Sequence, residues 1–75
     1  MVGELSNRLR HLRAERGLTQ AALAERVGVS RKTINTVENG VFIPSALLAL
    51  KLARVLGCAV EAIFSLEDAD QGDEE

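Results

Sequence analysis

The sequence predicts an all-α fold of five short helices packed into one small domain. Apolar residues recur at spacings of three and four in four separate stretches, the spacing that lines one face of a helix. Each of these stretches is followed by a glycine, Gly17, Gly28, Gly40 and Gly57, the residue type that ends helices most readily. The chain has 75 residues, two Phe and no Trp or Tyr, so its core is aliphatic and near the smallest size that folds alone.

The elements run in order along the chain. Leu5, Leu9 and Leu12 give one stripe of a first helix over residues 5–16, with Arg8, Arg10, Arg13 and Arg16 on its other faces, and most of these arginines are expected in solvent. Thr19 caps a second helix that opens at Gln20 and turns Leu23, Ala24 and Val27 inward. Ser30 caps a third, from Arg31 to about Asn39, with Ile34 and Val37 inward. After the loop VFIP, Pro44-Ser45 starts a fourth helix that is apolar on most sides, which places it at the domain centre or in a subunit interface. A short fifth helix is expected around Val60–Ile63. Beyond Phe64 the apolar content collapses, and DADQGDEE is expected to be disordered.

Charge is segregated. The net charge is −2, but residues 1–66 carry nine bases against five acids, a net +4, while residues 67–75 carry six acids and no base. A basic body with an acidic tail differs physically from a mildly acidic globule. The single Cys58 excludes an intramolecular disulfide and fits a reducing compartment. No apolar run reaches the ~18 residues of a membrane span, and the N-terminus lacks the apolar centre of a signal peptide, so a cytoplasmic, nucleoid-associated protein is expected. His11 stands alone, and no set of His, Cys, Asp and Glu has ligand or catalytic spacing, so neither metal, cofactor nor enzymatic activity is expected.

The stretch QAALAERVGVSRKTINTVEN carries the functional reading. Two helices joined by a tight turn cross closely, so the contact residue on the first must be small, as Ala24 is. The turn needs a positive φ, which Gly28 accepts without steric penalty. Val29 plugs the turn and Ser30 caps the second helix of the pair. This is a helix-turn-helix unit over residues 20–39. Ser30, Arg31, Lys32, Asn35, Thr36 and Asn39 then face outward from the second helix, which in such a unit enters the major groove. Arg and Lys match guanine acceptors, Asn matches adenine, and a Thr methyl touches thymine. Gln20, at the N-terminal end of the first helix of the unit, is placed to bond a phosphate.

The run RxxRGLTQxxLAxxxGVSRxTIxxxENG, within residues 4–64, resembles the Xre or lambda-repressor-like family of bacterial and phage regulators, and most closely its small single-domain members similar to the cytolysin repressor. The resemblance implies a five-helix DNA-binding domain in which Gln20 contacts phosphate, Arg31, Lys32, Thr33, Asn35 and Thr36 line the DNA, and the loop from Asn39 to Phe42 meets the backbone. It implies operator binding as a homodimer through Ile43, Val60 and neighbours, among which Cys58 and Phe64 are candidates. In the subgroup the two ends pair as short strands, here Met1–Glu4 with Ala62–Leu66. The chain departs from the family at Ala21 and Ala22, where a glutamate is common after TQ, at Lys32, where Gln is common, and at Val41, where a base is common.

The expectation is therefore a helix-turn-helix domain over residues 1–66 with an acidic tail over 67–75, acting on double-stranded DNA as a homodimeric repressor of a pseudo-palindromic operator. The alternatives are an antitoxin that also blocks a toxin protein, and a protein-interaction adaptor on the same fold.

Overall fold

The computed structural model describes residues 4–67; Met1–Gly3 and residues 68–75, which hold all but the first position of the expected tail, lie outside the described part. The element order is β1 (Glu4–Asn7), α1 (Leu9–Glu15), α2 (Gln20–Val27), α3 (Arg31–Glu38), α4 (Ala46–Leu56), α5 (Val60–Ile63) and β2 (Phe64–Glu67). Five helices surround one aliphatic core, and a two-stranded antiparallel sheet closes it.

The caps act where the sequence places them. Thr19 accepts a hydrogen bond from the backbone N–H of Ala22 at 3.0 Å, Ser30 from Thr33 at 3.1 Å and Ser45 from Leu48 at 3.1 Å. Each satisfies one of the free N–H groups that every helix start leaves. Gly28 has φ +80°, a left-handed conformation that lets the chain turn sharply from α2 into α3. The carbonyl of Ala24 accepts from both Gly28 and Val29, at 2.8 and 3.0 Å, and Ala24 itself is buried. A small residue is thus buried beside the turn from α2 into α3.

Leu9, Leu23, Ile34 and Leu52 are fully buried, one from each of the four longer helices, and Ile63 joins them from α5. The central role expected for α4 holds for one face only. Leu48, Leu52, Ala53 and Leu56 are buried, whereas Leu47 and Leu50 remain exposed.

Two expectations need correction. Leu5 does not belong to the first helix. It pairs with Leu66 in the sheet, whose register also joins Ser6 to Ser65 and Asn7 to Phe64. The physical reason lies at Asn7, whose side-chain oxygen accepts from Leu9 N–H at 3.1 Å while its amide donates to the Val37 carbonyl at 3.0 Å. Asn7 ends the strand, holds the first N–H of α1 and ties the entrance of that helix to α3. The terminal strands exist, but they run from Glu4–Asn7 and Phe64–Glu67 instead of Met1–Glu4 and Ala62–Leu66, because Ala62 and Ile63 are still helical. Glu67 accordingly ends β2 and does not begin the tail.

Candidate nucleic-acid interface

The site is built on α3. Its start is fixed by Ser30, whose hydroxyl caps the helix and lies 3.0 Å from the Thr33 hydroxyl. Its inner face is fixed by Ile34 and Val37, both buried. Its C-terminal end is fixed by a polar cluster around Glu38. The Glu38 side chain has no exposed area, and Arg13, at 15 % side-chain exposure, donates to both of its carboxylate oxygens from α1. Arg10 adds a bond to Glu38 at 3.3 Å and one to the Asn39 side-chain oxygen at 2.8 Å. From the first turn of α2, Gln20 donates to Glu38 at 3.0 Å and to Asn35 at 3.2 Å. Burial by itself pushes the Glu38 carboxyl up. The hydrogen bonds from Arg13, Gln20 and Arg10, with the Arg13 charge, outweigh it and hold the carboxyl below its ordinary value.

The arrangement divides the expected contact residues into two groups. Arg31 and Lys32 are exposed on the first turn of α3 and have no hydrogen-bond or ion-pair partner within the described residues. They are the free cations of this face. The others are already engaged. Asn35 accepts two hydrogen bonds on its side-chain oxygen, from Gln20 and from Asn39 at 3.3 Å. A carbonyl oxygen has two acceptor sites, so Asn35 keeps its amide donor free but must exchange a bond to accept from adenine. Asn39 is engaged at both ends, by Arg10 and Asn35. The Thr36 hydroxyl donates to the Thr33 carbonyl at 2.9 Å, which leaves its methyl group as its outward feature. The Thr36 carbonyl accepts from Val41 and Phe42, at 2.9 and 3.1 Å, and so fixes the loop after α3 to the helix.

Sequence reasoning missed the framework that holds this face. Glu38 carries no helical-periodicity signal. Of the arginines at the first helix, Arg8, Arg10 and Arg16 are exposed, as expected, and Arg13 is half-buried; Arg13 also donates to the Leu18 carbonyl at 2.8 Å, and Arg16 to the carbonyls of Leu56 and Leu12 at 2.6 and 3.1 Å. The available signal was the coincidence of an arginine in α1, a glutamine opening α2 and a glutamate ending α3.

Of the four residues expected at a dimer contact, Ile43 is 70 % exposed, and Cys58 and Val60 are half-buried against the core. Phe64 differs from them. It is 7 % exposed, because pairing with Asn7 turns its ring into the core of its own chain. Val41, at 77 %, and Leu66, at 72 %, are exposed apolar residues that the sequence reading did not select. Within the described residues no group of three or more His, Cys, Asp or Glu is disposed to hold a metal, and no helix is long and apolar enough to cross a membrane.

Comparison with known proteins agrees with this geometry. The helix-turn-helix family profile matches residues 9–63. An HTH-type transcriptional regulator of Methanocaldococcus jannaschii is 45% identical over 64 residues, 85% of this chain and 97% of the relative. Among solved structures, the restriction-modification controller protein C.AhdI of Aeromonas hydrophila is 38% identical with a TM-score of 0.70, over 73% of this chain and 83% of that one. The P22 c2 repressor, solved on a synthetic operator, is 33% identical with a TM-score of 0.70, over 72% of this chain and 82% of that one. The chain therefore belongs to the helix-turn-helix, lambda-repressor-like family of DNA-binding transcriptional regulators, a family of regulators and not of enzymes.

Proposed function

We propose that the protein is a homodimeric repressor that reads a pseudo-palindromic operator with α3, in the cytoplasm at the nucleoid. The observation that carries this reading is the pair of unengaged cations, Arg31 and Lys32, on the first turn of a helix whose other end is locked by α1 and α2. A reading head must be both free at its tip and rigid at its base, since a bidentate contact to guanine requires a fixed approach. In this reading Arg31 and Lys32 contact base edges or flanking phosphates. Ser30, Thr33 and the Asn35 amide donate nearby, the Thr36 methyl faces the groove, and the exposed N-terminal turn at Gln20 meets a phosphate. Asn39 acts by holding Asn35 and Arg10 in place.

The two-fold arrangement is supported by the exposed apolar residues Val41, Ile43 and Leu66. Ile43 lines a crevice with Leu5, Phe42, Pro44 and Phe64, Val41 and Leu66 are neighbours in sequence or sheet of its lining, and in this reading Val60 joins the contact. Two copies joined there would present two reading helices at half-sites ~34 Å apart. The repressor role rests on the similarity to the P22 c2 repressor. Selection of bound duplexes from a random pool tests the proposal. The expected product is a pair of inverted half-sites with centres ~10 base pairs apart, bound by two chains. Recovery of a single unpaired half-site bound by one chain contradicts the homodimer.

A further inference from the structure

We propose that the acidic C-terminal segment, residues 68–75, docks in cis on a basic groove between α2 and α4, whose lining does not include the free cations Arg31 and Lys32. The groove is lined by Glu25, Arg26, Gly28, Lys51, Arg54 and Val55 over a floor at Val27. Three cations face one carboxylate there, and none of the three has an ion-pair partner within the described residues. The wall is concave, so an acidic chain lying in it meets positive charge from both helices at once, whereas Arg31 and Lys32 stand on the convex surface of one helix.

The segment starts at the end of β2. β2 ends at Glu67, and Leu66 pairs with Leu5. Leu5 lines a crevice with Phe42, Ile43 and Pro44. Phe42 also lines a second crevice with Leu47 and Lys51, and this one joins the basic groove at Val27 and Lys51. From Leu47 to Arg54 along α4 is a rise of ~10 Å. The eight residues after Glu67 span up to ~26 Å when extended. They contain Asp68, Asp70, Asp73, Glu74 and Glu75 and no base. Exposed ion pairs do not offset the entropy of fixing such a chain in one conformation. The docked state is therefore a set of exchanging pairs, strongest at low salt.

This contact does not depend on the DNA-binding reading, and its test does not use DNA. Backbone amide spectra of the full chain are compared with those of a variant carrying Asp68→Asn, Asp70→Asn, Asp73→Asn, Glu74→Gln and Glu75→Gln. At ~10 mM salt, where charges act over ~30 Å, the two should differ at Arg26, Lys51, Arg54 and their neighbours. The differences should vanish at ~1 M salt, where the range is ~3 Å. They should also vanish when Lys51→Gln and Arg54→Gln are introduced into both chains. Differences confined to Arg31 and Lys32 would overturn the proposal by placing the segment on the reading face. No difference at low salt would overturn it outright. Differences that grow with protein concentration would assign the contact to a second copy and overturn docking in cis.

Discussion

Arg13 in α1 and Glu38 at the end of α3 are joined by two hydrogen bonds across 25 residues of sequence, with the Glu38 side chain wholly buried. This pair fixes α3 to α1, a helix not joined to it through the turn. Removing one partner leaves the other charge buried and uncompensated. Glu38→Gln should therefore destabilise the domain by about 3 kcal/mol. For a domain of this size, that lowers Tm by more than ~10 °C. Thermal unfolding followed by circular dichroism checks it, and a fall of only a degree or two would show that the pair carries no such weight.

The same carboxylate sets a pH dependence. Glu38 is held below its ordinary value of 4.5. Between the folded and unfolded values the unfolded chain binds the extra proton, so stability drops as pH falls through that window and is complete above it. Urea unfolding across this range should give a steeper loss of stability for the parent chain than for Glu38→Gln, which has no proton to take up at this site. Equal slopes for the two proteins would contradict the assignment.

The helix-turn-helix unit was legible because each of its residues answers to a local rule. Ala24 is small at a close crossing, Gly28 has positive φ, Ser30 caps, and Leu23, Val27, Ile34 and Val37 keep helical spacing into the core. The features that were not legible depend on partners distant in sequence. The stripe Leu5, Leu9, Leu12 is a valid helical pattern. Only Asn7, bonded to Val37 thirty residues away, shows that Leu5 lies in a strand. Arg13 reads as one more residue of a solvated face until Glu38 and the Leu18 carbonyl are brought to it. Phe64 reads as an exposed apolar end until the sheet register turns it inward. The sequence also named a set of outward residues on α3. It did not separate the free Arg31 and Lys32 from Asn35 and Asn39, which are already engaged with other side chains.

That separation predicts unequal effects on DNA binding. Arg31→Ala should weaken specific binding by ~1–3 kcal/mol and relax the base preference at one position of each half-site. If Lys32 contacts phosphate, Lys32→Ala should weaken binding to all sequences alike and lower the salt slope by ~1 per chain. Asn39→Ala should act mainly through stability, since its amide is engaged at both ends. Competition binding against single-base variants of the site distinguishes the three, and a specificity change in Asn39→Ala with unchanged stability would contradict its assigned role.

Ile43 offers a clean test of the two-fold contact, because it is exposed and its replacement leaves the core intact. Ile43→Asp should sediment as a monomer with an unchanged melting profile at low protein concentration, and bind the full operator at least ~10-fold more weakly as the contribution of the second half-site is lost. A dimer that survives this substitution would move the interface elsewhere. Val60→Asp is expected to give the same phenotype with an added loss of stability, since Val60 packs against the core.

The most direct test of sequence reading by α3 is binding of the parent chain to the duplex upstream of its own gene and to a scrambled duplex, over a salt series. The account predicts a native site preferred by ~10³-fold or more at physiological salt, with the preference abolished at the affected positions by Arg31→Ala. Equal affinities that fall together as salt rises would mean that only phosphate is read on these duplexes, and would contradict specific recognition of this site by α3.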